Sequence, residues 1–136
     1  MGFAVLVVDD NRSFAGAARL LLERQGERVV GLACTSAEAV ALVAELRPDV
    51  VLVDLALGDE SGLDVARLLA AECGSAAPAV ILMSARSPAD ITELMATSPA
   101  AGFLPKADLS ADAIRRVVVN GLTSGGAPPS RILRQG

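Results

Sequence analysis

Histidine, tryptophan and tyrosine are absent from the 136 residues, and lysine occurs once, as Lys106. Without histidine the chain has no imidazole general base, no histidine-bearing zinc site and no phosphohistidine of its own. The only aromatics are three phenylalanines, too few for a platform on which nucleobases stack. Positive charge is also short. Twelve Lys and Arg face sixteen Asp and Glu, a net charge of −4, so the chain lacks the basic footprint of a direct nucleic-acid binder. The two cysteines, Cys34 and Cys73, lie far apart in no CxxC arrangement, which predicts reduced, buried thiols. Apolar runs such as Phe3–Val8 and Val50–Val53 are far below the ~20 residues that cross a bilayer. No basic stretch precedes the first of them, so no secretory signal and a cytoplasmic location are expected.

What is present is a chain of one-domain length, 52% hydrophobic, able to bury a core and so not globally disordered. Short apolar runs alternate with segments of helical period. Phe3–Val8 predicts a strand covered on both faces. Asn11 or Ser13 can cap a helix to about Gln25, which Gly26 stops. Arg28–Ala33 predicts the second strand. A helix from Ser36 ends just before Pro48. Val50–Val53 is the third strand, Leu55–Ser61 a loop containing Gly58, and Gly62–Glu72 a helix closed by Gly74. Ala79–Met83 is the fourth strand, and Ser87-Pro88 opens a helix to about Thr97. Gly102–Leu104 is a short fifth strand, and Ser110 caps a last helix to about Asn120, with Ile114, Val117 and Val118 inward. Five β-then-α units predict an α/β fold, a doubly wound five-stranded parallel sheet with helices on both faces. The Gly/Pro/Ser-rich stretch from Gly121 predicts residues 1–120 as the domain and 121–136 as a linker or disordered tail.

Ligands of such sheets bind outside the carboxyl ends of the strands. Asp9 and Asp10 follow strand one, Asp54 strand three, Ser84 strand four, and Pro105 and Lys106 strand five. Each has a bland reading alone. The acidic pair can cap a helix, Asp54 can be a turn residue, Ser84 a local hydrogen-bonder and Lys106 a solvated charge. Together they converge on one rim, which points to a shared site. Three crowded carboxylates repel one another, and a hard divalent cation such as Mg²⁺ relieves this with oxygen ligands. The Ser84 hydroxyl and the Lys106 ammonium suit phosphoryl oxygens, and an aspartate can serve as the nucleophile.

With Asp9-Asp10, Asp54, Gly62, Ser84-Ala85 and Pro105-Lys106 in this order, the chain resembles the receiver domains of two-component response regulators, the CheY-like, flavodoxin-like (βα)5 class. LVDLALGDESGLDVARLL further resembles receivers that precede LuxR-type output domains. The resemblance implies that Asp54 accepts a phosphoryl group from a sensor histidine kinase or phosphotransfer protein. It implies Mg²⁺ on Asp9, Asp10, Asp54 and the backbone carbonyl of Ala56. Ser84 and Lys106 would bind the phosphoryl group, and Phe103 would follow an inward movement of Ser84. Such a domain catalyses its own phosphorylation and dephosphorylation without being a conventional turnover enzyme. The face of the fourth helix, fifth strand and fifth helix would meet an output domain or a second copy. Arg115 and Arg116 on it read as ordinary solvated charges. No DNA-binding helix-turn-helix fits after Asn120, so DNA contact would come from elsewhere.

Gly58 stands where this family often has proline, and Phe103 lacks the hydroxyl of the common tyrosine. Ala56 and Arg86 take positions that flank the path of an attacking water, and Arg86 is expected over the phosphoryl group. The alternatives are a pseudo-receiver, the same fold used only for protein interaction, and a haloacid-dehalogenase-type phosphatase. The latter needs Asp-x-Asp after strand one, where Asn11 stands instead. A flavin-binding reading fails because Asp9 and Asp10 would repel the phosphate, and a nicotinamide reading fails for want of GxGxxG.

Overall fold

The computed structural model of the chain describes residues 2–74, 77–85 and 99–124. Two short sequences, AVLVV and VVLVD, have no exposed position. Such runs settle in the middle of a sheet covered on both sides. They form β1 (Ala4–Val8) and β3 (Val50–Asp54), joined by β2 (Arg28–Ala33), β4 (Ala79–Ser84) and β5 (Gly102–Pro105) in the order β2-β1-β3-β4-β5. Every pairing in this sheet is parallel, as the α/β reading requires. The edge strand β2 is less apolar and partly exposed, and it slips register against β1 between Val5 and Leu6.

Because side chains alternate across a strand, β1 and β3 feed two cores. Val5, Val7, Val50 and Leu52 pack with Ile81, Met83, Leu22 of α1 (Arg12–Arg24) and Ile114 of the C-terminal helix (Ala111–Ser124). Leu6, Val8, Val51 and Val53 pack with Leu82, Val43 of α2 (Ser36–Leu46) and Leu69 of α3 (Gly62–Cys73) on the opposite face. Each fully buried Leu or Val contributes about 1.5–3 kcal/mol relative to leaving it in water.

The caps set the helix starts at the rim. The amide of Phe14 donates to Asn11 Oδ1 at 3.0 Å, that of Leu63 to Ser61 Oγ at 3.1 Å and that of Ala113 to Ser110 Oγ at 3.0 Å. Thr35, which the sequence left without a role, accepts the Glu38 amide at 3.2 Å, while Glu38 accepts the amide of Cys34 at 2.7 Å. The first bond satisfies a donor that the helix start leaves open, and the second ties the residue before the cap to the same turn. α2 ends at Arg47, whose φ of +49° turns the chain before Pro48.

Several expectations are corrected. Both thiols are free but half-buried rather than buried. The C-terminal helix runs to Ser124, past Asn120. The loop after β3 contains a two-residue antiparallel ladder, Ala56–Leu57 against Glu60–Ser61. Lys106 opens a short 3-10 turn to Asp108. Arg115 is no free surface charge. Its guanidinium meets Oε2 of the fully buried Glu27 side chain at 3.0 Å, and Glu27 also accepts the amide of Phe3. A buried carboxylate needs such partners. The helix from Ser87-Pro88, and with it the face it would share with the last strand and helix, lies outside the described residues. So do Arg86 and 125–136 of the expected linker.

Candidate functional site

At the carboxyl rim the chain leaves β1 at Val8 and turns into α1. Asp9 is turned inward, 1% exposed, and its Oδ1 accepts the amide of Asn11 at 2.8 Å. Asp10 remains exposed. β3 ends on Asp54, 7% exposed. One oxygen of each of these three carboxylates lies within 4.8 Å of the others.

Lys106 reaches over this group from the end of β5. Its Nζ donates to Asp54 Oδ2 at 3.0 Å and pairs with Asp9 Oδ2 at 2.8 Å. The second contact is a close ion pair, and the Lys106 ammonium is the partner of the buried Asp9 Oδ2. The ammonium also stands 4.3 Å from the ring centroid of Phe14 on α1. Nothing in the spacing of Phe14 along α1 distinguishes a ring under a lysine from one in the core.

The remaining oxygen of Asp54, Oδ1, accepts the amide of Ala56 at 3.1 Å. Burial pushes the Asp54 carboxyl above the usual aspartate range. The Ala56 amide and the Lys106 ammonium oppose this, and the charge of Asp9 adds to it. For Lys106, burial lowers the ammonium pKa, but the two aspartates outweigh it and leave the pKa above its ordinary value. The site thus holds more negative charge than one ammonium relieves.

Gly62 has a steric reason to be glycine. A Cβ there would run into the Asp54 carbonyl and stand 2.9 Å from Leu55 Cα. The Gly62 amide donates to Leu55 O at 2.8 Å, so α3 begins hard against the turn that presents Asp54. At the loop tip Gly58 has a φ of +58°, and a Cβ there would lie 3.5 Å from Asp10 Oδ2.

Ser84 closes β4 at 8% exposure. The register pairs Leu82 with Phe103 and Ser84 with Pro105. Ser84 and Phe103 therefore share a sheet face on neighbouring strands, one step apart, with Phe103 half-buried against the α2–α3 core. The structure brings together Asp9, Asp10, Asp54 and Lys106, with Ala56 beside Asp54. Ser84 and Phe103 occupy adjacent positions on the next two strands. No imidazole or thiol belongs to the carboxylate cluster. Its all-oxygen character, three carboxylates of which two share the Lys106 ammonium, fits a hard cation such as Mg²⁺.

Residues 5–118 match the response regulator receiver domain model, and the chain belongs to that family: it is a receiver domain of a two-component response regulator. Over 89 residues it is 38% identical to the DNA-binding response regulator MtrA of Mycobacterium tuberculosis, covering 64% of this chain and 37% of MtrA. Over 81 residues it is 42% identical to a protein-glutamate methylesterase/protein-glutamine glutaminase of Myxococcus xanthus, covering 59% of this chain and 23% of that protein. The chain spans about half or less of the length of these curated relatives. Among solved structures it is similar to the signal receiver domain of NarL from Mycobacterium tuberculosis. That match has a TM-score of 0.72 at 30% identity and covers 90% of this chain and 98% of the other. No helix among the described residues is long and apolar enough to cross a membrane.

Proposed function

We propose that Asp54 is the phosphoacceptor of this receiver domain and takes its phosphoryl group from a phosphohistidine on a sensor kinase or phosphotransfer protein. A carboxylate oxygen of Asp54 attacks phosphorus, the P–N bond breaks, and the departing imidazole keeps the electron pair. Water later cleaves the acyl phosphate to inorganic phosphate and restores the carboxylate. The observation that carries this reading is the convergence of three carboxylates within 4.8 Å on an aspartate already bonded to Lys106 at 3.0 Å.

Asp9, Asp10, Asp54 and the Ala56 carbonyl would hold Mg²⁺, which when bound supplies positive charge to the carboxylates and to the phosphoryl oxygens. Lys106 and the Ser84 hydroxyl bind the oxygens of the transferred group, and the place of Phe103 beside Ser84 supports a packing switch without a hydroxyl. Arg86, two residues beyond Ser84, tunes the lifetime of the acyl phosphate, as does Ala56, whose side chain cannot orient water. The readout passes from the last strand and helix to an output domain, a second copy or another protein in the cytoplasm. The relationship to MtrA supports a DNA-binding output carried by another segment or partner.

Incubation with acetyl phosphate and Mg²⁺, followed by intact mass measurement, tests this. One base-labile phosphoryl group should appear and be lost in Asp54→Asn. A folded chain that binds Mg²⁺ but gains no mass would instead be an interaction module. Continuous release of phosphate from many substrates would make it a phosphatase.

A further inference from the structure

The loop between Asp54 and Gly62 contains the expected metal-binding carbonyl of Ala56 and brings Gly58 against Asp10. Its tip lacks stiffness of its own. Gly58 occupies left-handed backbone space and is freer than any other residue when the loop opens. A ladder of two residue pairs, Ala56 with Ser61 and Leu57 with Glu60, is too short to hold itself closed in water.

A tie to another element is present. The carboxylate of Glu60 accepts the Ser36 amide at 2.8 Å and the Ser36 hydroxyl at 2.5 Å. Ser36 is the first residue of α2, so its amide is among those a helix start leaves open. The neighbouring caps are already engaged, Thr35 with Glu38 and Glu38 with Cys34. A carboxylate is also favoured at the positive end of a helix. The Ser36 hydroxyl and amide hold the Glu60 carboxyl below its usual range, which is consistent with a formed bond.

We infer that Glu60 is a positioning residue: through Ser36 it clamps the loop after β3 to the start of α2 and preorganises the acidic site for its cation. The inference rests on the part of the proposed function that reads that site as a Mg²⁺ site. With the clamp removed, the buried side chain of Leu57 in the α2–α3 core and the bonds of Leu55 and Ser61 to Gly62 and Leu63 still anchor the loop on either side of its tip. The tip would then have to be ordered when the metal binds, which weakens binding. Partners behind metal ligands are typically worth tenfold or more in affinity; for this half-exposed one we expect about 3- to 10-fold.

The test uses the full chain. Mg²⁺ affinity is measured by calorimetry, and hydrogen exchange of residues 55–62 is followed without metal, in wild type, Glu60→Ala and Glu60→Gln. Glu60→Ala should bind Mg²⁺ about 3- to 10-fold more weakly and exchange faster in this segment. Glu60→Gln, which can still accept from the amide and donate to the hydroxyl of Ser36, should recover most of both. Wild-type affinity and exchange in Glu60→Ala would overturn the clamp. If wild type takes up phosphate while Glu60→Ala shows no deficit, the clamp alone fails. If wild type binds Mg²⁺ in a Glu60-dependent way yet accepts no phosphoryl group, the phosphoacceptor reading fails and the clamp stands.

Discussion

The ammonium nitrogen of Lys106 stands 3.0 Å from Oδ2 of Asp54, a residue fifty-two positions earlier in the chain. It is simultaneously 2.8 Å from Asp9, and the three side chains are at most 14% exposed. In the metal-free protein, Lys106 is thus, among the described residues, the cation that makes the buried carboxylates tolerable. Lys106→Met leaves two buried acceptors without it and should destabilise the metal-free fold by about 1–3 kcal/mol. Millimolar Mg²⁺ should recover most of the loss, since a cation that binds the folded cluster stabilises it by mass action. Urea denaturation with and without Mg²⁺ checks this. An equal deficit in both conditions would mean that Lys106 contributes packing alone.

Phe14 makes a separate contribution. Its ring lies 4.3 Å from the same ammonium and orients it by attraction to the ring face. Phe14→Leu keeps the apolar contact with the core and removes that attraction, about 0.5–1 kcal/mol. The rate of phosphoryl uptake from acetyl phosphate should fall about two- to fivefold, with Mg²⁺ affinity unchanged. A loss of Mg²⁺ affinity would instead place Phe14 under the metal ligands.

Two glycine substitutions should move stability in opposite directions. Gly62→Ala drives a methyl group into the Asp54 carbonyl and toward Leu55, overpacking that should cost about 1–3 kcal/mol and reduce phosphoryl uptake by displacing Asp54. Gly16, inside α1, has nothing within 4 Å of an added Cβ. Gly16→Ala should therefore stabilise by about 0.5–1 kcal/mol. Thermal melts of the pair check the contrast. A neutral Gly62→Ala would show that α3 can draw back from Asp54.

Much of this was legible beforehand. The apolar runs of β1 and β3 could be strands because nothing in them wanted water, and the polar residues that follow each strand had one rim to share. Asp9, Asp54 and Lys106 meet because parallel strands end on the same side, which topology alone dictates. The Glu60–Ser36 tie, the Arg115–Glu27 pair and the ring of Phe14 under Lys106 were not legible. Each depends on which rotamer reaches which neighbour across a turn or between helices, and a charged or aromatic residue at such a position looks the same in sequence whether solvated or engaged. The half-buried thiols escaped for a related reason, since a small side chain at an element end is covered or not according to its neighbours.

The Glu60 tie also predicts a pH dependence whose sign is determined. Its carboxyl titrates below the ordinary glutamate value of 4.5 in the folded chain, so around that value the unfolded chain binds more protons. Stability from this group is present above the unfolded value and is lost as pH falls through the lower, folded one. Many carboxylates titrate in the same range, so the comparison must be differential. Wild type should melt at a higher temperature than Glu60→Ala at pH 6 to 7, and the gap should close as pH falls below the ordinary glutamate value of 4.5 and through the lower, folded one. Melting curves of both proteins at several pH values in metal-free buffer measure it. A gap that persists unchanged under acid would show that Glu60 contributes through its aliphatic stem and not through the charge that holds Ser36.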